Sequence, residues 1–221
     1  MDNLEQAIQA TQNIINAFDA RPANQPVDWE HFYNNADNAA TGQATIDAMQ
    51  RDYAREDFAL TNKNALKRAA LWYGEQGISI FPLTPQTKTP LTSNGFHAAT
   101  TDPDQILSWW TTTPNANIGI ATGPINGFDV IDIDGARGYY SWLIEPAFDI
   151  DGIIGKVITP RGLHFYIPVV KADEEPRGIG TEIWPGVDLR GKGGYVVAPP
   201  SCIGQNYYKW GRPLALDLVS V

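Results

Sequence analysis

Short apolar runs separated by turn residues dominate the chain from residue 78 onward. Runs of this length that are rich in β-branched residues predict strands. The predicted strands are residues 78–81, 117–121, 128–133, 155–159, 163–167 and 194–198. Segments with helical periodicity lie between some of them, so we predict an α+β or α/β fold, not a sandwich or a bundle.

Three helices are predicted after residue 60. The first is capped by Thr61 or Asn62 and ends near Gly74 or Gly77. The second begins at Asp102, a capping acid that is followed by a proline in the first turn. Its predicted buried face consists of Ile106, Leu107, Trp109 and Trp110. The third helix is predicted at residues 136–143, directly after an acidic strand.

The first 60 residues differ from the rest of the chain. Apolar residues at helical spacing predict amphipathic helices at 4–18 and 44–58, with a loop rich in proline and asparagine between them. This segment carries ten acidic and three basic residues, so it holds most of the net charge of −9. We therefore divide the chain into an acidic helical N-terminal segment, 1–60, and a main domain, 61–221. The main domain is close to neutral, which leaves salt-sensitive binding of nucleic acid possible.

Composition limits the chemistry of any site. A single cysteine excludes an internal disulfide and a zinc site built from several cysteines. With only three histidines, a bound metal is expected to have mainly oxygen ligands, which favours magnesium or manganese. The sequence has no long apolar segment and no signal peptide, so we expect a cytoplasmic protein without membrane contact.

Residues 128–135 (FDVIDIDG) form an apolar strand that ends in acids. Side chains alternate along a strand, so Asp132 and Asp134 share one face. Carboxylates about 7 Å apart repel by roughly 2 kcal/mol at an effective dielectric near 20, and this repulsion favours a bound cation. Gly135 would allow a sharp turn and close approach of a ligand. The alternative is a strand that ends in solvated aspartates, one of which caps the following helix.

A histidine lies near the start of a later apolar strand, in residues 159–167 (TPRGLHFYI). Alternation places His164 on the same face as Gly162 and Tyr166. The glycine would clear space there, and the imidazole can donate a hydrogen bond to a phosphate oxygen. The alternative is a histidine that is buried in the core without a functional role.

Charged residues are interspersed with glycines in residues 184–195 (WPGVDLRGKGGY). Asp188, Arg190 and Lys192 would suit a loop in which cations and backbone amides surround phosphates while the acid holds a metal. A glycine-rich hairpin turn with solvated charges is the alternative. The stretch does not match the phosphate-binding Walker pattern, because neither Ser nor Thr follows the lysine.

These three stretches, in this order, resemble the archaeo-eukaryotic primase superfamily, and in particular the bifunctional primase-polymerase (prim-pol) domain of phage and plasmid replication proteins. The resemblance runs from about Ala69 to Trp210. It includes the additional segments 77–82, 88–90, 95–102, 109–110 and 117–123. It implies an RRM-like catalytic core with mixed β-sheets flanked by helices, and template-directed nucleotidyl transfer by a DNA primase/polymerase.

The resemblance also implies roles for individual residues. Asp132 and Asp134 would form the first metal-binding motif, Asp188 would supply a third acid, and the three would hold two Mg²⁺ or Mn²⁺ ions. His164 would contact the nucleotide. Arg190 and Lys192 would neutralise charge that develops on the phosphates. Lys88 is a further candidate phosphate contact, although an exposed lysine in such a loop could also be only solvated.

The expected partners are a single-stranded DNA template, dNTP or NTP substrates, and a helicase domain if the chain is part of a longer replication protein. The expected location is the cytoplasm of a bacterial host, with a phage or a plasmid as the source of the gene. No cysteine/histidine cluster of a zinc stem is present in the sequence.

Three alternative functions remain open. A metal-dependent glycosyltransferase also uses Asp-x-Asp. A Toprim-type enzyme needs a glutamate at the end of an upstream strand, whereas the nearest one, Glu75, lies in a predicted helix. A non-catalytic module that binds nucleotide or DNA is the third.

Overall fold

The computed structural model describes residues 64–144, 152–169 and 177–215. The helices predicted at 4–18 and 44–58, and the boundary predicted near residue 60, lie outside the described residues and stay predictions. Within the described ranges, no helix has the length and apolar character needed to cross a bilayer.

Helices and strands alternate irregularly along the described chain. The helices are α1 (Ala65–Glu75), a 3-10 helix (Gly95–Ala98), α2 (Pro103–Thr112) and α3 (Gly135–Ile144). The first strands are β1 (Ile80–Leu83), β2 (Asn117–Ala121), β3 (Phe128–Asp134), β4 (Gly155–Ile158) and β5 (Gly162–Pro168). The later strands are β6 (Gly180–Trp184), β7 (Val187–Arg190), β8 (Tyr195–Ala198), β9 (Cys202–Ile203), β10 (Asn206–Tyr207) and β11 (Lys209–Arg212).

The strands form two main sheets. One has the order β1-β2-β8, the other has the order β11-β4-β5-β3-β7-β6, and β9 pairs with β10 alone. The combination of helices and sheets confirms the α+β class. The prediction of mixed sheets is wrong for the described strands, because every pairing between them is antiparallel. Tight turns join β4 to β5 and β6 to β7, and a short connection of that kind forces antiparallel neighbours. The RRM-like detail stays a prediction.

The end of α1 displaces the first strand from its predicted position. The amide of Gly77 donates to the carbonyl of Gly74, and the amide of Ile78 donates to the carbonyl of Tyr73. This pair of bonds closes a helix C-terminus. Because Ile78 belongs to that closure, the strand predicted at 78–81 begins only at Ile80. The start of α1 also differs from the prediction, since the residue at the N-cap is Asn64.

The predicted start of α2 is confirmed. The side chain of Asp102 accepts a hydrogen bond from the amide of Asp104 at 3.0 Å, with Pro103 at the first helical position. Ile106 and Trp110 are buried, as predicted. Leu107 is 42% exposed, so its predicted burial is wrong. Ile106 and Trp110 are four residues apart and therefore lie on one face of the helix. Leu107 directly follows Ile106, so its side chain is rotated away from that face.

Removal of this cap is expected to destabilise the domain. Asp102→Ala leaves the amide of Asp104 without its acceptor, and loss of an N-cap typically costs about 1 kcal/mol. Urea denaturation of the two proteins would measure the change in the free energy of unfolding. Asp102→Asn keeps a capping oxygen and is the control. Equal stabilities of the alanine and asparagine variants would contradict a capping role.

Strand β3 is buried on both faces of the six-stranded sheet. Phe128 and Val130 pack into the larger core, to which both sheets, α1 and α2 contribute. Ile131 and Ile133 pack on the opposite face, in a smaller core that includes Tyr139 of α3. The predicted alternation is therefore confirmed. Since Asp132 follows Val130 by two residues, it lies on the face directed towards the larger core.

Candidate active site

Strand pairing brings the three sequence motifs side by side. Asp132 on β3 pairs with His164 on β5 and with Asp188 on β7. Residues that are directly opposite each other on neighbouring strands project to the same face of a sheet. An acid, a histidine and a second acid therefore form a row across three adjacent strands.

A guanidinium group bridges the two acids of this row. Nη2 of Arg190 lies 2.6 Å from Oδ2 of Asp188 and 3.5 Å from Oδ2 of Asp132. Arg190 follows Asp188 by two residues on β7, so the alternation of the strand places it on the same face. Asp188 also accepts a 2.7 Å hydrogen bond from the amide of Glu182. Two carboxylates thus converge on one cationic nitrogen.

Asp132 is held in its ionised form. Burial alone would raise its pKa, but the neighbouring charges of His164, Arg190 and Lys88 outweigh this effect and lower the pKa to about 2. Nε2 of His164 lies 3.4 Å from Oδ1 of Asp132. Because the pKa of Asp132 in the folded protein is below its ordinary value of 3.8, the ionised carboxylate stabilises the fold at pH values above 3.8. The contribution is lost as the pH falls towards 2.

Asp134 has its own cationic partner. Nη2 of Arg161 lies 3.2 Å from Oδ1 of Asp134, whose side chain is 40% exposed. The next residue, Gly135, has φ of 63° and begins α3, so the chain turns sharply there as predicted. The sequence argument expected the repulsion between the two aspartates to require a bound cation. In the structure, Arg161 and Arg190 supply the opposing charges.

His164 is almost fully buried, and its Nδ1 has no hydrogen-bond partner within the described residues. The predicted reason for the nearby glycine is wrong. A Cβ at Gly162 would lie 1.8 Å from the carbonyl oxygen of Ile133, so that position is filled by the backbone of β3 and offers no space to a ligand. The glycine is needed because the two strands approach each other closely.

The glycine-rich stretch is partly a strand, not the predicted loop. The turn at Pro185 and Gly186 joins β6 to β7, and Asp188 and Arg190 lie within β7. A second turn leads from β7 to β8 and carries Lys192. The hairpin alternative was therefore correct about the backbone, although the charges of β7 are paired and not merely solvated.

The two candidate lysines lie on turns. Lys192 is exposed, and within the described residues no ion pair joins its side chain to the acids. Its amide donates to the carbonyl of Arg177 at 2.7 Å. Lys88 is also exposed, and its charge is one of those that lower the pKa of Asp132.

Sequence reasoning missed two residues beside this row. Arg161 was visible in the turn before Gly162, but no pattern connected it to Asp134. Tyr208 is buried with its ring centroid 5.9 Å from that of His164. Burial and the charges of Asp132 and Asp134 raise the pKa of Tyr208. No sequence signal distinguishes this tyrosine from an ordinary core residue.

The donor chemistry of the row suits a divalent metal. Within residues 64–144, 152–169 and 177–215, no group of three His, Cys, Asp or Glu side chains is arranged to hold a metal ion. Asp132 and Asp188 nevertheless direct carboxylate oxygens at the same positively charged nitrogen of Arg190. Oxygen ligands of this kind fit Mg²⁺ or Mn²⁺.

Part of the chain matches a known protein family. A family model described as bifunctional DNA primase/polymerase, N-terminal (Prim-Pol), matches residues 70–218. The match contains the acid row, Arg161, Tyr208 and both candidate lysines. Comparison with curated proteins finds no match.

Proposed function

Because the chain belongs to the bifunctional DNA primase/polymerase (Prim-Pol) family, we propose that it synthesises DNA on a single-stranded template from nucleoside triphosphates with the help of divalent metal. Family membership indicates an enzyme of the nucleotidyltransferase type. The observation that carries the finer proposal is the row on three adjacent strands, in which Asp132 and Asp188 converge on one cationic nitrogen beside His164.

The acids are assigned to metal binding. Asp132, Asp134 and Asp188 would hold two Mg²⁺ or Mn²⁺ ions, for which the lowered pKa of Asp132 keeps one ligand ionised at neutral pH. The chemistry that such ions would supply there is activation of the attacking 3′-hydroxyl and stabilisation of the departing pyrophosphate. The contribution of the protein is to hold Asp132 and Asp134 of β3 and Asp188 of β7 on one face of two paired strands.

The cationic residues are assigned to the triphosphate. A guanidinium binds phosphate oxygens with the same planar fork with which it binds carboxylates, so Arg190 is suited to exchange Asp188 for a phosphate. His164 can donate to a phosphate oxygen, and the burial of its ring keeps its orientation fixed. Lys88 and Lys192 add positive charge from their two turns.

The biological setting is also a proposal. We place the activity in the replication of phage or plasmid DNA, with a helicase domain as the expected companion and the cytoplasm of a bacterial host as the location. We retain the RRM-like description of the catalytic core on the same basis.

A primer-extension assay tests the proposed function. A 5′-labelled primer on a longer DNA template is incubated with dNTPs and either Mg²⁺ or Mn²⁺, with EDTA as the control. Template-dictated extension that requires the metal supports the proposal. Nucleotide binding without extension would support the non-catalytic module, and metal-dependent hydrolysis of a nucleotide sugar would support a glycosyltransferase. An unprimed template in the same experiment measures primase activity.

Replacement of His164 is expected to weaken nucleotide binding more than chemistry. A hydrogen bond to a charged group contributes about 1.5–3 kcal/mol, so His164→Ala should raise the apparent KM for dNTP by about tenfold or more and change kcat less. Steady-state extension kinetics measure both constants. His97→Ala, at an exposed histidine of the 3-10 helix, is the matched control. An unchanged KM in the folded His164 variant would remove this residue from the site.

A further inference from the structure

We propose that Asn117 is a positioning residue, which holds the turn of Lys88, residues 84–89, beside the row of Asp132, His164 and Asp188. The backbone of this turn is then already ordered when Lys88 binds the triphosphate. The proposal rests on the proposed function, because the triphosphate is the ligand assigned to Lys88. Asn117 lies on β2 in the three-stranded sheet, whereas the acids lie on strands of the six-stranded sheet.

The side-chain amide of Asn117 connects two segments that lie far apart in the sequence. Its Nδ2 donates to the carbonyl of Thr87 at 3.0 Å and to the carbonyl of Cys202 at 2.9 Å. Its Oδ1 accepts from the amide of Cys202 at 3.2 Å. The residue is only 1% exposed, and a buried side-chain amide with both donor hydrogens and its oxygen bonded strongly resists displacement.

The turn of Lys88 is fixed on both sides of the lysine. The amide of Thr84 donates to the carbonyl of Thr89 at 2.8 Å, and the carbonyl of Thr87 accepts from Asn117. The carbonyl of Lys88 itself accepts from the hydroxyl of Tyr195 at 3.1 Å. Two consecutive carbonyls are therefore tied to other segments, while the side chain of Lys88 remains exposed.

The anchoring residues connect this turn to the proposed active site. Tyr195 begins β8, immediately after the turn that follows Arg190 on β7. The hydroxyl of Thr122 binds the carbonyl of Gly191 at 2.7 Å and holds that turn against the end of β2.

A fixed turn gives the lysine an advantage in binding. Ordering of a flexible lysine and its loop on a ligand costs conformational entropy, and this cost is smaller when the backbone is already held. Loss of the Asn117 anchor should therefore weaken binding of the triphosphate without altering the chemical step. A residue that merely stabilised the fold would lower the amount of active enzyme and leave KM unchanged.

A double-mutant cycle with Lys88 tests the proposal. Asn117→Ala and, separately, Tyr195→Phe should raise the apparent KM for dNTP about three- to tenfold, with kcat within about twofold. In a Lys88→Gln background, the same substitutions should change KM less than about twofold, because the group that they position is gone. Equal fold-changes in both backgrounds would overturn the proposal. Tyr195→Phe keeps its ring against Phe81, so this arm remains available if Asn117→Ala does not fold.

Asn126 provides the matched control. It is also a buried asparagine, and its side chain binds the backbone of Ser79 and of Ala121. Asn126→Ala should lower stability comparably but show no coupling to Lys88→Gln. Coupling as large as that of Asn117 would count against a specific role of Asn117.

A second measurement separates this proposal from the proposed function. Amide hydrogen exchange of residues 84–89 should be faster in Asn117→Ala than in the wild type at equal global stability. If the wild type fails to extend primers, the proposed function is refuted, and exchange still decides whether Asn117 holds the turn. Unchanged exchange there would overturn the positioning role.

Discussion

Asp132→Asn is expected to reduce template-directed nucleotide incorporation on the order of a thousandfold in a protein that remains folded. Asp132 lies at the centre of the acid row, between His164 and Asp188, and is the proposed metal ligand shared with the second acid. An asparagine keeps the shape of the side chain but removes the negative charge. Single-nucleotide incorporation under single-turnover conditions, with saturating Mn²⁺ and dNTP, would measure the loss.

The same substitution should also lower stability. Ionised Asp132 is 9% exposed, and its pKa of about 2 against 3.8 corresponds to about 2 kcal/mol in favour of the charged form. Relief of the repulsion between Asp132 and Asp134 does not offset this loss, because Arg190 and Arg161 already supply opposing charges to the two aspartates. Urea denaturation checks this value, with Asp104→Asn, at an exposed position of α2, as the control. A folded Asp132→Asn protein with undiminished incorporation would contradict the assigned role.

Arg177→Met is expected to cost about 3–5 kcal/mol of stability. Nε of Arg177 lies 2.6 Å from Oδ2 of Asp129, which is 1% exposed, and its Nη2 donates to the carbonyl of Pro168. Burial raises the pKa of Asp129, and Arg177 opposes that rise. Removal of the guanidinium leaves a buried carboxylate without its cation. Urea denaturation at neutral pH would measure the change in the free energy of unfolding.

The pH dependence of this loss identifies its cause. Without Arg177, the pKa of Asp129 in the folded state should rise further. At pH values between the unfolded and the folded pKa, the folded variant therefore holds a proton on Asp129 that the unfolded chain has released. The variant then loses stability as the pH increases through that raised pKa, and its deficit should be smaller at pH 5 than at pH 8. The double variant Asp129→Asn/Arg177→Met should be more stable than Arg177→Met alone. A deficit independent of pH, together with no recovery in the double variant, would contradict the buried-charge explanation.

The sequence predicted those features that depend on one segment at a time. The apolar alternation of residues 128–133 predicted a buried strand with Asp132 and Asp134 on one face, because side-chain direction follows from strand geometry alone. The Asp102 cap was predicted for the same reason, since it involves residues two positions apart. The family resemblance named Asp188 and His164 as companions of Asp132, but only strand pairing places them opposite it.

The features that were missed depend on contacts between distant segments. Strands β6 and β7 lie in a glycine-rich, charged stretch whose composition favours a loop. The pairing of β7 with β3, and of β6 with β7, overrides that preference. The partners of the acids, Arg161 and Arg190, depend on how side chains meet across strands. The hydrogen bond from Asn117 to the carbonyl of Thr87, beside Lys88, joins residues that are 30 positions apart, and no local pattern encodes it.

The central claim is that acids on β3 and β7 bind the same divalent ions. Titration with Mn²⁺ in the presence of dNTP, followed by the electron paramagnetic resonance of unbound Mn²⁺, tests it without reliance on turnover. A mixture of wild-type protein and dNTP should bind more Mn²⁺ than the same amount of dNTP without protein. The Asp132→Asn and Asp188→Asn proteins should both lose this additional binding. Wild-type binding of Mn²⁺ by both folded variants would contradict the account.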